Sequence, residues 1–136
     1  MRRPAALAAL ALLLTAAVTA QQPSPPAPKP EGMPPNMEMY QLGFLKKGPK
    51  WTPEKTEQTA KIQEGHMAHL NAMAASGRLV VAGPVGAGAG DLRGILVFKG
   101  ISTEEAVTMA SEDPAVKAGR LIVEIVPWWV EKGVLP

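Results

Sequence analysis

The apolar positions of this chain change period from one stretch to the next, and the changes divide it into elements. Between Met37 and Leu45 they alternate in part, with Tyr40, Leu42 and Phe44 on one side, which predicts a first strand. Ile62, His66, Leu70 and Met73 then recur at helical spacing and share one stripe. Thr52-Pro53-Glu54 offers a start for that helix: an oxygen-bearing cap, a proline where no donor is needed, and an acid in the first turn. Gly77 offers the stop, because left-handed backbone costs glycine little. Leu79–Ala82 is a short apolar strand ended by Gly83-Pro84, and Ile95–Phe98 is a third strand. Ser102 and Glu105 have capping-box spacing and open a second helix to about Ser111. Asp113-Pro114 repeats the cap-then-proline signal for one more turn, stopped at Gly119. Leu121–Val126 is a dense β-branched run, after which Pro127 either breaks the ladder or marks a sheet edge.

Strand, helix, strand, strand, helix, strand is the order of a ferredoxin-like βαββαβ domain. The expected class is α+β: a four-stranded antiparallel sheet with two helices on one face. A strand such as Leu121–Val126 has no clean polar side, so the other face needs cover as well. Pairing of two sheets in a homodimer would supply it.

The pattern leaves two stretches outside the domain, which spans residues 36–136. Residues 1–20 have a short positive start at Arg2-Arg3, an Ala/Leu run, and small residues at Val18-Thr19-Ala20 where a signal peptidase cuts. They read as a signal peptide, so the expected location is periplasmic or secreted, with no membrane contact after cleavage. Residues 21–35 hold seven of the chain's 14 prolines and read as a semi-rigid tether. Lys46-Lys47-Gly48-Pro49-Lys50 reads as a basic, solvated turn.

Charge changes the picture once the leader is set aside. The full chain has 14 Lys and Arg against 12 Asp and Glu. Both basic residues of the leader are arginines, so the remainder is balanced at 12 against 12. The net basic charge that marks a nucleic-acid binder is therefore absent, and no nucleic acid is expected as a partner. The chain has no cysteine, which excludes disulfides, thiolate metal sites and cysteine nucleophiles.

Few residues are left to carry chemistry. His66 and His69 are the only histidines, and His66 lies nearer the apolar stripe. No third or fourth ligand stands at metal-site spacing, so no metal is expected. Asp113 has two readings. It caps the turn that begins at Pro114, or it accepts a hydrogen bond from His66. In the second case the carboxylate fixes one tautomer and makes the ring a usable proton acceptor. Gly86-Ala87-Gly88-Ala89-Gly90 looks like a phosphate loop, but a strand follows it where such loops need a helix. A hairpin or lid is the better reading. Trp128 and Trp129 point to opposite faces if the last strand continues through them.

The ordered set His66, Gly77-Arg78-Leu79, Ala82-Gly83-Pro84 and Asp113-Pro114…Ala118-Gly119 resembles the YCII-related domain family over roughly Met37–Trp129. The resemblance implies a dimeric α+β barrel. It also implies a pocket in which the first-helix histidine meets the aspartate before the short turn, here His66 and Asp113, with Gly83 and Pro84 in the pocket wall. The activities it implies are cofactor-free eliminations or dehydrochlorinations of small ring compounds. Ala115 departs from the family, where an aromatic often follows the Asp-Pro. The expected function is thus a cofactor-free lyase, dehydrochlorinase or isomerase acting on a small molecule, with His66 as base. The alternatives are a module that binds a small ligand without turnover and a structural dimer in which the pair only fixes the fold.

Overall fold

The computed structural model describes residues 25–136. The expected leader, and residues 21–24 of the proline-rich stretch, lie outside the described residues. The elements are β1 (Met37–Lys47), α1 (Glu57–Ala75), β2 (Leu79–Pro84), β3 (Leu92–Lys99), α2 (Thr103–Ser111), α3 (Pro114–Lys117) and β4 (Leu121–Glu131). The sheet order is β2-β3-β1-β4, and every neighbouring pair is antiparallel. This is the ferredoxin-like α+β arrangement, with α3 as the extra turn after the second helix. Among the described residues no helix is long and apolar enough to cross a membrane.

The two faces of the sheet differ in how they are covered. Leu45, Leu79, Leu96 and Phe98 lie under the helices and pack with Met73 of α1 and with Ala106 and Ala110 of α2. The two alanines are almost fully buried, and their small size lets α2 sit close on the sheet. Each large apolar side chain sealed in this way is worth about 1.5–3 kcal/mol. Tyr40, Val97 and Val130 form a second cluster on the opposite face, joined by Leu42, Ile95 and Leu135. The alternating residues Tyr40 and Leu42 therefore mark the side turned away from the helices. The helix side of β1 carries the less conspicuous Gln41, Gly43 and Leu45. Gln41 is buried, donates to the Ile101 carbonyl at 3.3 Å and accepts from the Thr103 hydroxyl at 2.9 Å, which ties the strand to the start of α2.

Three boundaries differ from those expected. The first helix starts at Glu57, one turn after Thr52-Pro53-Glu54. The Thr52 hydroxyl accepts from the Glu54 N–H at 3.2 Å, so this cap-like residue closes a local turn instead. The real cap is Thr56. Its hydroxyl accepts from the Thr59 N–H at 3.1 Å, and the Thr59 hydroxyl accepts from the Thr56 N–H at 2.9 Å. A threonine thus fills the place where Glu or Gln completes the usual capping box. Second, Lys46 and Lys47 belong to β1 and pair with Ile122 and Leu121, so the turn begins only at Gly48. Third, β4 continues through Pro127 to Glu131; the strand lies at the sheet edge, where a missing N–H is tolerated. The other end signals agree with expectation. The first helix ends before Gly77 at φ 75°, and Ser102 and Glu105 form a reciprocal capping box.

Replacing the true cap should cost more than replacing the decoy. Thr56→Ala is expected to lower unfolding free energy by about 1 kcal/mol. Thr52→Ala should change it by less than about 0.5 kcal/mol. Urea denaturation of the two variants checks the assignment.

Candidate active site

The first helix presents His66 on its buried side, and the turn before α3 presents Asp113 to it. Imidazole Nδ1 and carboxylate Oδ2 are 2.6 Å apart, and Asp113 is only 2% exposed. The second carboxylate oxygen, Oδ1, accepts the Ala115 N–H at 2.7 Å. Both readings of Asp113 therefore hold at once: it caps α3 and it grips the histidine. With both carboxylate oxygens acting as acceptors, Nδ1 is the nitrogen that donates to Asp113, and in a neutral ring the lone pair is then on Nε2. Glu112, next in sequence, does not compete for the ring. Its carboxyl is held below the usual range by a hydrogen bond to Lys117, then by that lysine's charge, and more weakly by His69.

What brings the two groups together is a glycine. A Cβ on Gly65 would come within 3.1 Å of the Pro114 ring. The ring of the residue after Asp113 therefore rests on the helix backbone beside His66. The helix gives up about 1 kcal/mol of propensity at Gly65 for this contact.

His66 lies on the wall of a cavity of about 530 Å³, within the usual range for small-molecule sites. The cavity runs between α1 and the β2–β3 side of the sheet. Ile62, Leu70, Leu79 and Leu96 make its apolar walls, and Gly83 and Pro84 lie on its β2 side. Ala115 lies beside His66 in the same wall. The loop after β1 also contributes to the wall, through Trp51. Gly48 donates to the Arg120 carbonyl at 2.8 Å, and Lys50 donates to the Gly119 carbonyl at 2.9 Å. A Cβ on Gly48 would lie 2.4 Å from the Gly119 carbonyl oxygen, so only glycine permits this approach. The clamp brings Trp51 into the cavity wall next to Arg93 and Arg120.

A family model for the YCII-related domain matches residues 46–129, more than half of the chain. The chain belongs to that family. No curated protein sequence matches it. Among solved structures it is similar to 5-chloro-2-hydroxyhydroquinone dehydrochlorinase (TftG) from Burkholderia phenoliruptrix AC1100, in complex with 2,5-dihydroxybenzoquinone. That likeness has 24% identity, covers 69% of this chain and 95% of that chain, and has a TM-score of 0.48.

Other residues singled out in the sequence lie elsewhere in this YCII-related domain. His69 turns to α2, where its Nε2 meets the Met109 carbonyl at 2.8 Å, a contact between helix and helix end. Trp128 lies on the open face of the sheet opposite Tyr40. The glycine-rich stretch is the β2–β3 connection. Among the described residues no group of three or more His, Asp or Glu side chains could hold a metal ion. Trp51, Arg93 and Arg120 were not marked by any sequence pattern.

Exchanging the carboxylate for its amide should move the ring proton with little loss of fold. In Asp113→Asn the amide oxygen still caps α3, while its NH₂ donates to Nδ1 and drives the proton to Nε2. Nitrogen-15 shifts of the neutral ring are expected to report the Nδ1–H tautomer in the parent and the Nε2–H tautomer in the variant. Asp113→Ala, which also strands the Ala115 N–H, should cost about 2–4 kcal/mol in denaturant unfolding.

Proposed function

We propose that the chain is a cofactor-free enzyme acting on a small molecule, with His66 as general base and Asp113 as the group that orients it. The observation that carries this reading is the buried 2.6 Å contact, which leaves the imidazole as a polar group on an otherwise largely apolar cavity wall. In the proposed step a C–H bond of the guest breaks and its proton passes to Nε2. The electron pair stays on the guest and forms a double bond. In an elimination a leaving group departs with its own pair; in an isomerisation the proton returns from Nε2 to another carbon. Neither route needs an oxidant or reductant. General base catalysis of this kind is worth about 10²–10⁴ in rate.

Two features of the setting belong to the same proposal. The leader-like residues 1–20 support export to the periplasm or beyond. The open face of the sheet supports a homodimer of the α+β barrel kind. Ile122, Val126 and Trp128 are 42%, 43% and 38% exposed there, a density of apolar surface that a second sheet would cover. The C-terminal residues already cover part of it, since Leu135 packs on the Tyr40–Val97–Val130 cluster.

His66→Asn keeps a polar side chain that cannot shuttle a proton. With a panel of halogenated and hydroxylated small carbon acids, product formation is expected to fall by about 10²–10⁴ in kcat. Calorimetric affinity for the same compounds should stay within a few-fold. Undiminished turnover in the variant would sink the catalytic reading, and binding without turnover in the parent would make the domain a ligand carrier. Separately, sedimentation should find a dimer that Trp128→Glu converts to monomer.

A further inference from the structure

We propose that the cavity takes a small organic acid, with its carboxylate held by Arg93 and Arg120 and its apolar body lying along α1 toward His66. This rests on the reading of the cavity as a substrate site, and it adds the chemical class of the guest.

The inference starts from an imbalance of charge. Arg93 and Arg120 both line the cavity, and no Asp or Glu does. Among the described residues neither arginine forms an ion pair. Their partners are backbone carbonyls. Arg93 donates from Nε to Leu92 at 2.9 Å and from Nη2 to Gly90 at 3.1 Å, and Arg120 donates from Nη2 to Thr52 at 3.0 Å. These bonds hold the guanidinium groups in place, neutralise nothing, and leave further N–H donors on each. Both side chains are half-buried, where a charge is screened less than at the surface. Of the nearby acids, Asp91 is 3.7 Å from the ammonium of Lys47, and Glu54, which shares an adjoining hollow with Arg120, forms no ion pair with it. The Lys47 ammonium also sits 4.4 Å from the Trp51 ring centroid, so Asp91 and Lys47 offset each other outside the cavity lining. Asp113, the acid closest to the imidazole, is committed to His66 and Ala115.

A planar carboxylate matches the fork of a guanidinium. The apolar walls ask for a carbon body as well as a charge, so a bare inorganic anion would leave most of the cavity unmatched. The same positive wall favours the negative charge that proton removal places on the guest.

A matched pair of probes tests this on the full chain: 2-naphthoate and its neutral amide, 2-naphthamide. By calorimetry at low salt, naphthoate is expected to bind at least about tenfold more tightly, the factor that about 1.4 kcal/mol represents. The double variant Arg93→Gln/Arg120→Gln should bring the two affinities within about twofold. Raising the salt should weaken naphthoate and spare naphthamide in the parent protein, a readout that needs no variant. Equal affinities in the parent, a preference that survives in a folded double variant, or no naphthoate binding at millimolar concentration would each overturn the proposal. His66→Asn separates it from the catalytic reading. A preference kept without any turnover that depends on His66 overturns catalysis alone. Turnover that depends on His66, with no preference for the anion, overturns the acid site alone.

Discussion

One buried hydrogen bond organises the cavity side of this domain. The contact between His66 and Asp113 joins the first helix to a turn forty-seven residues further along the chain. An ionisable pair in that position is retained only where its geometry is satisfied, and here every acceptor of the carboxylate has a donor. Among the described residues no buried side-chain nitrogen or oxygen lacks a partner. The pair is also placed by backbone contacts. The Pro114 ring seats on Gly65, and the Ala115 N–H locks the carboxylate from behind. Turning the imidazole would break its bond to Oδ2 of a carboxylate that the helix cap already holds in place.

The cavity beside it is assembled by a second close approach. Gly48 lets the loop after β1 touch the turn after α3, and that touch places Trp51 and Arg120 in one wall. The two glycines act at opposite ends of the same short segment, residues 113–120. One seats Pro114 beside the His66–Asp113 pair, and the other brings Trp51 and Arg120 into the cavity wall. The half-exposed stripe on α1 follows from this arrangement. Ile62 and Leu70 recur at core spacing, yet they face a space the protein does not fill itself.

Much of this was legible in the chain. The order of elements, the caps at Ser102 and Asp113, and the glycine stops all carry local signals that depend on neighbouring residues. The pairing of His66 with Asp113 was legible as one of two readings, and it rested on a family resemblance as much as on spacing. Thr52 looks like a helix start because a threonine hydroxyl serves a tight turn as readily as a helix, and Thr59 stands where Glu or Gln usually completes the box. The side of β1 that faces the helices was hidden for a different reason. Its residues, Gln41 and Gly43, are polar or small, and their role appears only once Thr103 and Ile101 are brought against them. Arg93 and Arg120 gave no signal because a cavity is a relation among elements, and no single stretch encodes it.

The methyl of Ala115 has a wider meaning. It sits in the chamber wall next to the imidazole, while its own amide holds the aspartate. Backbone and side chain at this position thus serve two independent ends. Swapping the side chain would resize the cavity and leave the contact between His66 and Asp113 in place. In such a layout the shape of the chamber can be retuned, one codon at a time, without disturbing the buried pair beside it.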